Sequence, residues 1–137
     1  MILGHMRYFH LLFALIISCS ACRSSANSLG PDQAARLAAD STVLVLDVRT
    51  PQEYAGGHIQ GSTLMPYQAL NTNLRLLPAD KKQPILLYCQ TGRRSALAAA
   101  ILRKAGYGEL YDLRGGIAAW VQSGRPVASG RKQTNSN

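Results

Sequence analysis

The sequence predicts an α/β fold in which an open, mainly parallel sheet is flanked by helices on both faces. Two segments, 42–48 (TVLVLDV) and 83–89 (QPILLYC), consist almost entirely of apolar residues. Such runs are typical of strands buried on both faces of a parallel sheet. Helical patterns alternate with these strands along the chain, and this alternation favours βαβ units.

Length and composition limit the classes of protein that fit. The chain has 137 residues, of which 47% are hydrophobic, enough for one folded domain, so it is not a disordered protein. Lysine and arginine number 15 against 7 acidic residues, for a formal net charge of +8. No basic block with interleaved aromatic residues occurs, so we expect no nucleic-acid partner; a small anionic ligand, or solubility alone, fits the positive charge better.

Residues 1–22 have the pattern of an export signal. Arg7 precedes a short apolar run at 11–17 (LLFALII), and small residues follow at 18–22 (SCSAC). This order is typical of secretory signals, and the run is too short for a bilayer anchor. The segment IISC at 16–19 resembles the lipobox of bacterial lipoproteins. That resemblance implies that Cys19 is lipidated and becomes the mature N-terminus.

The signal predicts a place in the bacterial cell envelope, on the periplasmic side. Lipidation of Cys19 would bring the protein to a membrane through its anchor. Cleavage after Ala21 would instead give a soluble periplasmic protein, and an uncleaved segment or a start at Met6 also stays open.

The remaining chain divides into a linker, a domain and a tail. Residues 23–32 are polar and contain Gly and Pro, so we expect a linker. The folded domain is predicted over 33–128, and residues 129–137 form a basic tail that we expect to be disordered.

The elements of the domain follow in order. Residues 33–40 (QAARLAAD) predict a short helix before the strand at 42–48. Pro51 suits the start of a helix that Gly56 and Gly57 end. Residues 63–67 (TLMPY) predict a short strand, and 69–77 (ALNTNLRLL) a helix that stops before Pro78.

A second run of elements follows the strand at 83–89. Ser95 is the predicted N-cap of an alanine-rich helix, with Arg103 and Lys104 in its last turn and Gly106 after it. Residues 109–113 (ELYDL) predict a third strand, and 116–124 (GIAAWVQSG) a short helix.

The cysteines point to chemistry at one position. Cys19 and Cys22 lie in the processing zone, so Cys89 has no evident disulfide partner in an oxidising compartment. The CxxC spacing at 19–22 has no strand–helix context and no second pair of ligands, so we expect no metal site there.

Cys89 lies where an α/β sheet collects its ligands, at the carboxyl end of a predicted buried strand. Gly92 lets the following loop curl so that its N–H groups form an anion-binding nest. The helix N-terminus and the guanidinium groups of Arg93 and Arg94 also favour a thiolate. These features predict a nucleophilic cysteine in an anion cradle, and the structural alternative is a small buried cysteine at a strand end.

Three segments, in this order along the chain, resemble the signatures of the rhodanese family. They are LDVRTPQEYAGGHIQGS at 46–62, YCQTGRRSALAA at 88–99 and LYDLRGGIAAWVQSGRPV at 110–127. The resemblance covers about 33–127 and implies a single rhodanese domain, similar to small exported bacterial sulfurtransferases.

The resemblance implies a sulfurtransferase. The thiolate of Cys89 would take the outer sulfur of thiosulfate or a similar small anionic donor, and cyanide or a thiol would accept it from the resulting persulfide. Neither a metal nor an organic cofactor is implied. The implied substrate-binding residues are Gln90, Thr91, Gly92, Arg93, Arg94 and Ser95.

Four residues near the site are expected to be structural. Arg49 is expected to pair with Asp47 or Glu53 and hold its loop, and His58 to fix a turn. An ionised thiolate needs no general base.

Two other functions stay open. Phosphatases and arsenate reductases of this fold have a loop of Cys, five residues and Arg. Here Ser95 stands six residues after Cys89, and the nearest arginine, Arg94, comes one residue earlier. The shorter loop suits a sulfur atom better than a tetrahedral oxyanion. Redox sensing or sulfur-carrier docking through Cys89 is the other alternative.

Overall fold

The computed structural model describes residues 26–129, which form a five-stranded sheet with helices on both faces. The predicted export signal with Cys19 and residues 130–137 of the predicted tail lie outside the described residues. Among residues 26–129, no helix is both long enough and apolar enough to cross a membrane. The elements, in chain order, are β1 (Asn27–Leu29), α1 (Pro31–Ala38), β2 (Leu44–Asp47), α2 (Pro51–Gly56), β3 (Thr63–Leu64), α3 (Leu70–Asn73), β4 (Ile85–Tyr88), α4 (Arg93–Lys104), β5 (Leu110–Leu113) and α5 (Gly116–Gln122).

The sheet confirms the predicted fold class. Its strand order is β1-β5-β4-β2-β3, and every pair is parallel. β4 lies at the centre and all four of its residues are fully buried, which explains its unbroken apolar sequence. Leu87 of β4 stands opposite Leu46 of β2 and Asp112 of β5.

Two apolar layers cover the sheet. On one face, α4 packs Ala98, Ala99 and Leu102 against alternate residues of the central strands. On the other face, Ala34 of α1 and Trp120 of α5 join a second cluster. The central strands of the sheet are therefore buried on both faces.

The segment predicted as a linker contains an element of the sheet. β1 pairs with β5 at the sheet edge, and Arg114 N–H donates to Leu29 O at 2.8 Å. Its sequence, NSL, carries no strand pattern, because an edge strand of three residues is held mainly by backbone bonds. Helix α1 begins at Pro31 and not at 33, since Gly30 is the N-cap and Gln33 Oε1 accepts from its N–H.

The helix predicted at 69–77 is broken into short turns. A 3₁₀ turn at Tyr67–Ala69 precedes α3, and another at Leu74–Leu76 follows it. Thr72 Oγ1 and Asn73 Nδ2 both donate to Ala69 O, at 3.0 and 2.9 Å. These side-chain bonds compete with a regular helix. The strand predicted at 63–67 is limited to β3.

Candidate active site

Cys89 follows the last residue of the central strand β4 and is 1% exposed. It is a free cysteine. Its carbonyl accepts from Ile117 N–H at 2.9 Å, so the start of α5 fixes the backbone under the sulfur. The nucleophile that the sequence predicts is thus held at the carboxyl end of the sheet.

The turn after Cys89 depends on Gly92. This residue is the N-cap of α4 and has φ of +111°, in the region that favours glycine. Because glycine permits so tight a turn, α4 has its N-cap at Gly92, three residues before the predicted N-cap at Ser95. Ser95 is therefore not the N-cap. It lies in the first turn, fully buried, and its hydroxyl donates to Gly92 O at 3.0 Å.

Neutral donors surround the sulfur. Gly92 N–H lies 3.1 Å from Cys89 Sγ, and Ser95 Oγ lies 3.6 Å from it. Burial acts to raise the pKa of the Cys89 thiol, but the N–H and hydroxyl of Ser95, with the N–H groups of Gly92 and Thr91, outweigh it. The pKa of Cys89 is consequently lowered, as a nucleophilic thiol requires.

The two arginines of the loop have different surroundings. Arg94 donates to both carboxylate oxygens of Glu53, at 2.8 and 2.7 Å. The Arg94 guanidinium lowers the pKa of Glu53 to about 2, with Thr50 acting in the same direction, and Glu53 raises the pKa of Arg94. Arg93 is exposed. The loop thus presents one paired and one exposed guanidinium group.

A cavity of about 410 Å³ opens over Cys89. Its polar wall is the loop from Gln90 to Arg94. Its other wall is less polar and is made by Tyr67, Gln68 and Leu97. A second cavity, of about 320 Å³, lies beyond Gln90 against α5 and does not include Cys89. A small anion in the first cavity would lie between the sulfur and the arginines.

Asp47 and Arg49 form a buried ion pair behind the site, with exposed fractions of 0% and 3%. Arg49 Nη2 donates to Asp47 Oδ2 and to Gly57 O, both at 2.7 Å. Arg49 pairs with Asp47, one of its two expected partners. The other expected partner, Glu53, pairs with Arg94. The pair ties the end of β2 to the end of α2.

His58 contacts residues of its own turn. Its ring stacks on Tyr54 with centroids 3.7 Å apart, and its Nδ1 lies 2.9 Å from Tyr54 O. Its backbone bridges to Ala128. The residue therefore lies in the turn, outside the wall of the Cys89 cavity.

The sequence interpretation missed two features of the site. Asp112, in β5, is half-buried, and burial raises the pKa of its carboxyl group, an effect that the Ser95 hydroxyl offsets only in part. The signal was an acidic residue within an otherwise apolar strand, ELYDL. Gly116 lies in the third signature segment, and the sequence did not show that any side chain there would meet the backbone of Cys89 and Gln90.

No group of histidine, cysteine or acidic residues within 26–129 is arranged to hold a metal ion.

Comparison with known proteins identifies relatives over most of the chain. The family model described as a rhodanese-like domain matches residues 30–123. A sulfurtransferase of Allochromatium vinosum is 38% identical over 94 residues, which are 69% of this chain and 86% of that protein. Thiosulfate sulfurtransferase GlpE of Pseudomonas entomophila is 38% identical over 92 residues, which are 67% and 82% of the two chains.

Solved structures give the same result. The rhodanese-related protein of Thermoplasma volcanium superposes with a TM-score of 0.67 at 30% identity, over 74% of this chain and 97% of that one. The polysulfide-sulfur transferase homodimer of Wolinella succinogenes also gives 0.67, at 26% identity over 82% and 85% of the two chains.

Proposed function

The chain belongs to the rhodanese family, and from this premise we propose that it moves sulfane sulfur from thiosulfate or a similar donor to a thiophilic acceptor, through a persulfide on Cys89. The observation that carries the proposal is the position of Cys89 Sγ, buried at the strand end and facing the N–H of Gly92 and the hydroxyl of Ser95.

In the first step, the Cys89 thiolate attacks the outer sulfur of thiosulfate. A bond forms between Cys89 Sγ and that sulfur, the S–S bond of the donor breaks, and sulfite leaves with the electron pair. The lowered pKa of Cys89 supports this step, because it increases the fraction of thiolate.

The persulfide that results carries negative charge on its terminal sulfur. The loop from Gln90 to Ser95 curls around the cavity floor, and its N–H groups can receive this charge. Amide donors stay available at every pH, since they do not titrate. The short loop suits a single sulfur atom.

In the second step, a thiol or cyanide attacks the terminal sulfur. The S–S bond to Cys89 breaks, its electron pair returns to Sγ, and the thiolate is regenerated. The cavity of about 410 Å³ opens over Cys89, so a small acceptor can approach the sulfur from the same side as the donor.

Donor binding is proposed for the arginines at the cavity wall. Arg93 is exposed there, and Arg94 lies close enough to Cys89 for their charges to interact. Arg94 keeps a bidentate pair with Glu53, so it would bind the donor anion through the N–H groups that this pair leaves available.

We also propose that the protein works in the cell envelope, anchored through Cys19. This rests on the sequence at 11–22 alone. Expression of the full chain in a bacterium that processes lipoproteins, with Cys19→Ala beside it, tests the proposal. Membrane recovery of both proteins, or of neither, would contradict it.

A turnover assay tests the enzymatic proposal. The purified protein receives thiosulfate and cyanide, thiocyanate is followed, and a generic phosphatase substrate is offered in parallel. We expect thiocyanate from the wild type and none from Cys89→Ser, which should stay folded because the two side chains are nearly equal in size. Phosphate release that depends on Cys89, without thiocyanate, would favour a phosphatase. Silence in both assays would favour a sensor or docking module.

A further inference from the structure

The ion pair between Glu53 and Arg94 joins α2 to the active-site loop. Arg94 Nη1 donates to Glu53 Oε2 at 2.8 Å, and Arg94 Nη2 donates to Glu53 Oε1 at 2.7 Å. The side chains of Glu53 and Arg94 are 30% and 27% exposed, so the pair lies at the surface, where an anion can reach it. The proposed sulfur transfer assigns Arg94 to donor binding and gives Glu53 no part.

The start of α2 fixes the carboxylate of Glu53. Thr50 is the N-cap of this helix, and its backbone N–H and its hydroxyl both donate to Glu53 Oε2 at 2.9 Å. The backbone N–H of Glu53 in turn donates to Thr50 Oγ1 at 3.2 Å, which completes a capping box, and Pro51 restricts the first helical residue. Glu53 therefore reaches Arg94 from a rigid base.

These contacts use the full capacity of the Glu53 carboxylate. An ionised carboxylate has about four acceptor positions, and Thr50 and Arg94 together supply four donors. The Arg94 guanidinium holds the pKa of Glu53 at about 2, so the group carries no proton near neutral pH. Glu53 is therefore unsuited to act as a general acid or base, and its contacts suit it to hold Arg94.

The pair lies between the two cavities of the site. Arg94 lines the cavity over Cys89, whereas Glu53 lines the second cavity and is not part of the wall around the sulfur. A guanidinium has five N–H groups in one plane. Glu53 accepts one N–H from each terminal nitrogen, so three N–H groups of Arg94 remain for an anion in the Cys89 cavity.

An arginine that is already held in place binds an anion in a defined position. Its side chain has several rotatable bonds, and a free guanidinium loses this freedom when it binds. Arg94 is held beforehand by the pair with Glu53, and its charge interacts with that of Cys89. Preorganised donors stabilise developing charge more than donors that have to move during the reaction.

We propose that Glu53 is a positioning residue for the sulfur donor: it holds Arg94 so that the remaining N–H groups of the guanidinium meet the sulfonate end of the donor beside Cys89. This role rests on the proposed sulfur transfer. As Cys89 attacks the outer sulfur, the S–S bond of the donor breaks, and sulfite leaves against Arg94 with the electron pair. No bond to Glu53 forms or breaks. The effect is confined to this half of the cycle, because the acceptor carries no sulfonate group.

Two-substrate kinetics with thiosulfate and cyanide test this role, because a persulfide intermediate separates the two half-reactions. The value of kcat/KM for thiosulfate reports the donor half, and the value for cyanide reports the acceptor half. In Glu53→Gln we expect the thiosulfate value to fall about tenfold and the cyanide value to stay unchanged. Partial unfolding would instead lower both values equally.

The direction of the change separates positioning from charge. If Glu53 only neutralised Arg94, its removal would expose a full positive charge, and kcat/KM for thiosulfate would rise. Glu53→Asp keeps the charge but is one methylene too short to hold both Thr50 and Arg94, so it should also lose donor activity, and it carries the test should Glu53→Gln not fold. An unchanged or raised thiosulfate value in either variant, or an equal fall in the cyanide value, would overturn the proposal.

A double variant shows whether Glu53 acts through Arg94. Glu53→Gln in an Arg94→Ala background should cause no further loss, and an equal loss with and without Arg94 would overturn the proposal. The matched control is Asp32→Asn. It breaks the ion pair of Asp32 with Arg125, whose atoms are 2.6 Å apart and which lines neither cavity. Both kcat/KM values should stay unchanged in this control.

Alkylation of Cys89 needs no sulfur donor and separates the role of Glu53 from the proposed function. Iodoacetate is an anion and iodoacetamide is neutral, so the ratio of their rates reports how well Arg94 directs an anion to the sulfur. Glu53→Gln should lower this ratio, and an unchanged ratio would overturn the proposal. A lowered ratio in a protein that forms no thiocyanate would support the positioning role and contradict sulfur transfer. Normal wild-type turnover with an unchanged thiosulfate value in Glu53→Gln would do the reverse.

Discussion

Single residues lower the pKa of Cys89, and neither a histidine nor an arginine is among those with the largest effects. The donors next to the sulfur are the N–H of Gly92 and the hydroxyl of Ser95, and His58 is stacked on Tyr54 instead. Because an amide N–H does not titrate, these donors should stabilise a thiolate or a persulfide over a wide pH range. What varies with pH is the ionisation of Cys89 and of the acids that surround it.

Some residue contacts could be predicted from the sequence and others could not. Cys89 was found because its strand, loop and helix are consecutive in the chain. The pairing of Arg94 with Glu53 joins residues 41 positions apart, and no local pattern encodes it. The partial burial of Asp112 could not be predicted for the same reason, because it depends on strands β1 and β4, which are distant in the chain.

Arg94→Ala should raise KM for thiosulfate more than it lowers kcat. The variant removes charge-assisted donors that act on the donor anion before the chemical step, and such bonds contribute about 1.5–3 kcal/mol. We therefore expect a rise in KM of about tenfold or more. Lys104→Ala, which removes an exposed charge from the end of the same helix, is the control. Equal KM values for Arg94→Ala and the wild type would exclude Arg94 from donor binding.

The Glu53–Arg94 pair should contribute to acid stability. Glu53 has its pKa lowered from 4.5 to about 2. A carboxylate with a depressed folded pKa adds stability above its unfolded pKa, and this stability is lost as pH falls from about 4.5 to about 2. With allowance for solvent screening of a partly exposed pair, the contribution is about 1–2 kcal/mol.

Urea unfolding across this pH window measures the contribution. The wild type should lose more stability between pH 4.5 and pH 2 than Glu53→Gln does. Glu109→Gln, at a carboxylate exposed on the surface, should follow the wild type. Parallel curves for wild type and Glu53→Gln would show that the ion pair does not stabilise the fold.

At the scale of elements, two helix starts form the site. α4 begins directly after Gly92, and the N–H groups of its first turn point towards the sulfur. α5 begins at Gly116, and Ile117 N–H fixes the carbonyl of Cys89. The sequence predicted the helix at 116 but set the N-cap of α4 three residues late, because the conformation of Gly92 is decided by the turn and not by helix propensity.

Gly116→Ala should disrupt the active-site loop. The added Cβ would lie 2.5 Å from Cys89 O and from Gln90 O, and φ is +62°. Strain of the left-handed conformation costs about 1–2 kcal/mol, and overpacking costs about 1–3 kcal/mol more.

Gly124→Ala separates these two causes. Gly124 also has a positive φ, +80°, but nothing lies within 4 Å of an added Cβ. It should lose stability through the backbone strain alone and keep its activity. Thermal unfolding and turnover are measured for Gly116→Ala and Gly124→Ala. Equal losses of stability and of activity in the two variants would mean that contact with the Cys89 loop has no consequence.

At the scale of the whole molecule, the fold brings together three segments that are distant in the chain. β2, β4 and β5 are adjacent and parallel, so their carboxyl ends lie side by side at the same end of the sheet. Asp47 is the last residue of β2, and Arg49, the Cys89 loop and the start of α5 follow the ends of β2, β4 and β5. The alternation of apolar strands and helices predicted this arrangement. The sequence did not predict β1, because its pairing with β5 at the sheet edge determines it. It did not predict the breaks on either side of α3, because local side-chain hydrogen bonds determine them.

The central claim is that Cys89 carries sulfur as a persulfide, and intact mass is its most direct test. The purified protein is mixed with thiosulfate, desalted and weighed, then treated with cyanide and weighed again. We expect a gain of one sulfur atom that cyanide removes, and no gain in Cys89→Ser. A wild-type mass that thiosulfate leaves unchanged, or a sulfur that Cys89→Ser also retains, would contradict the account.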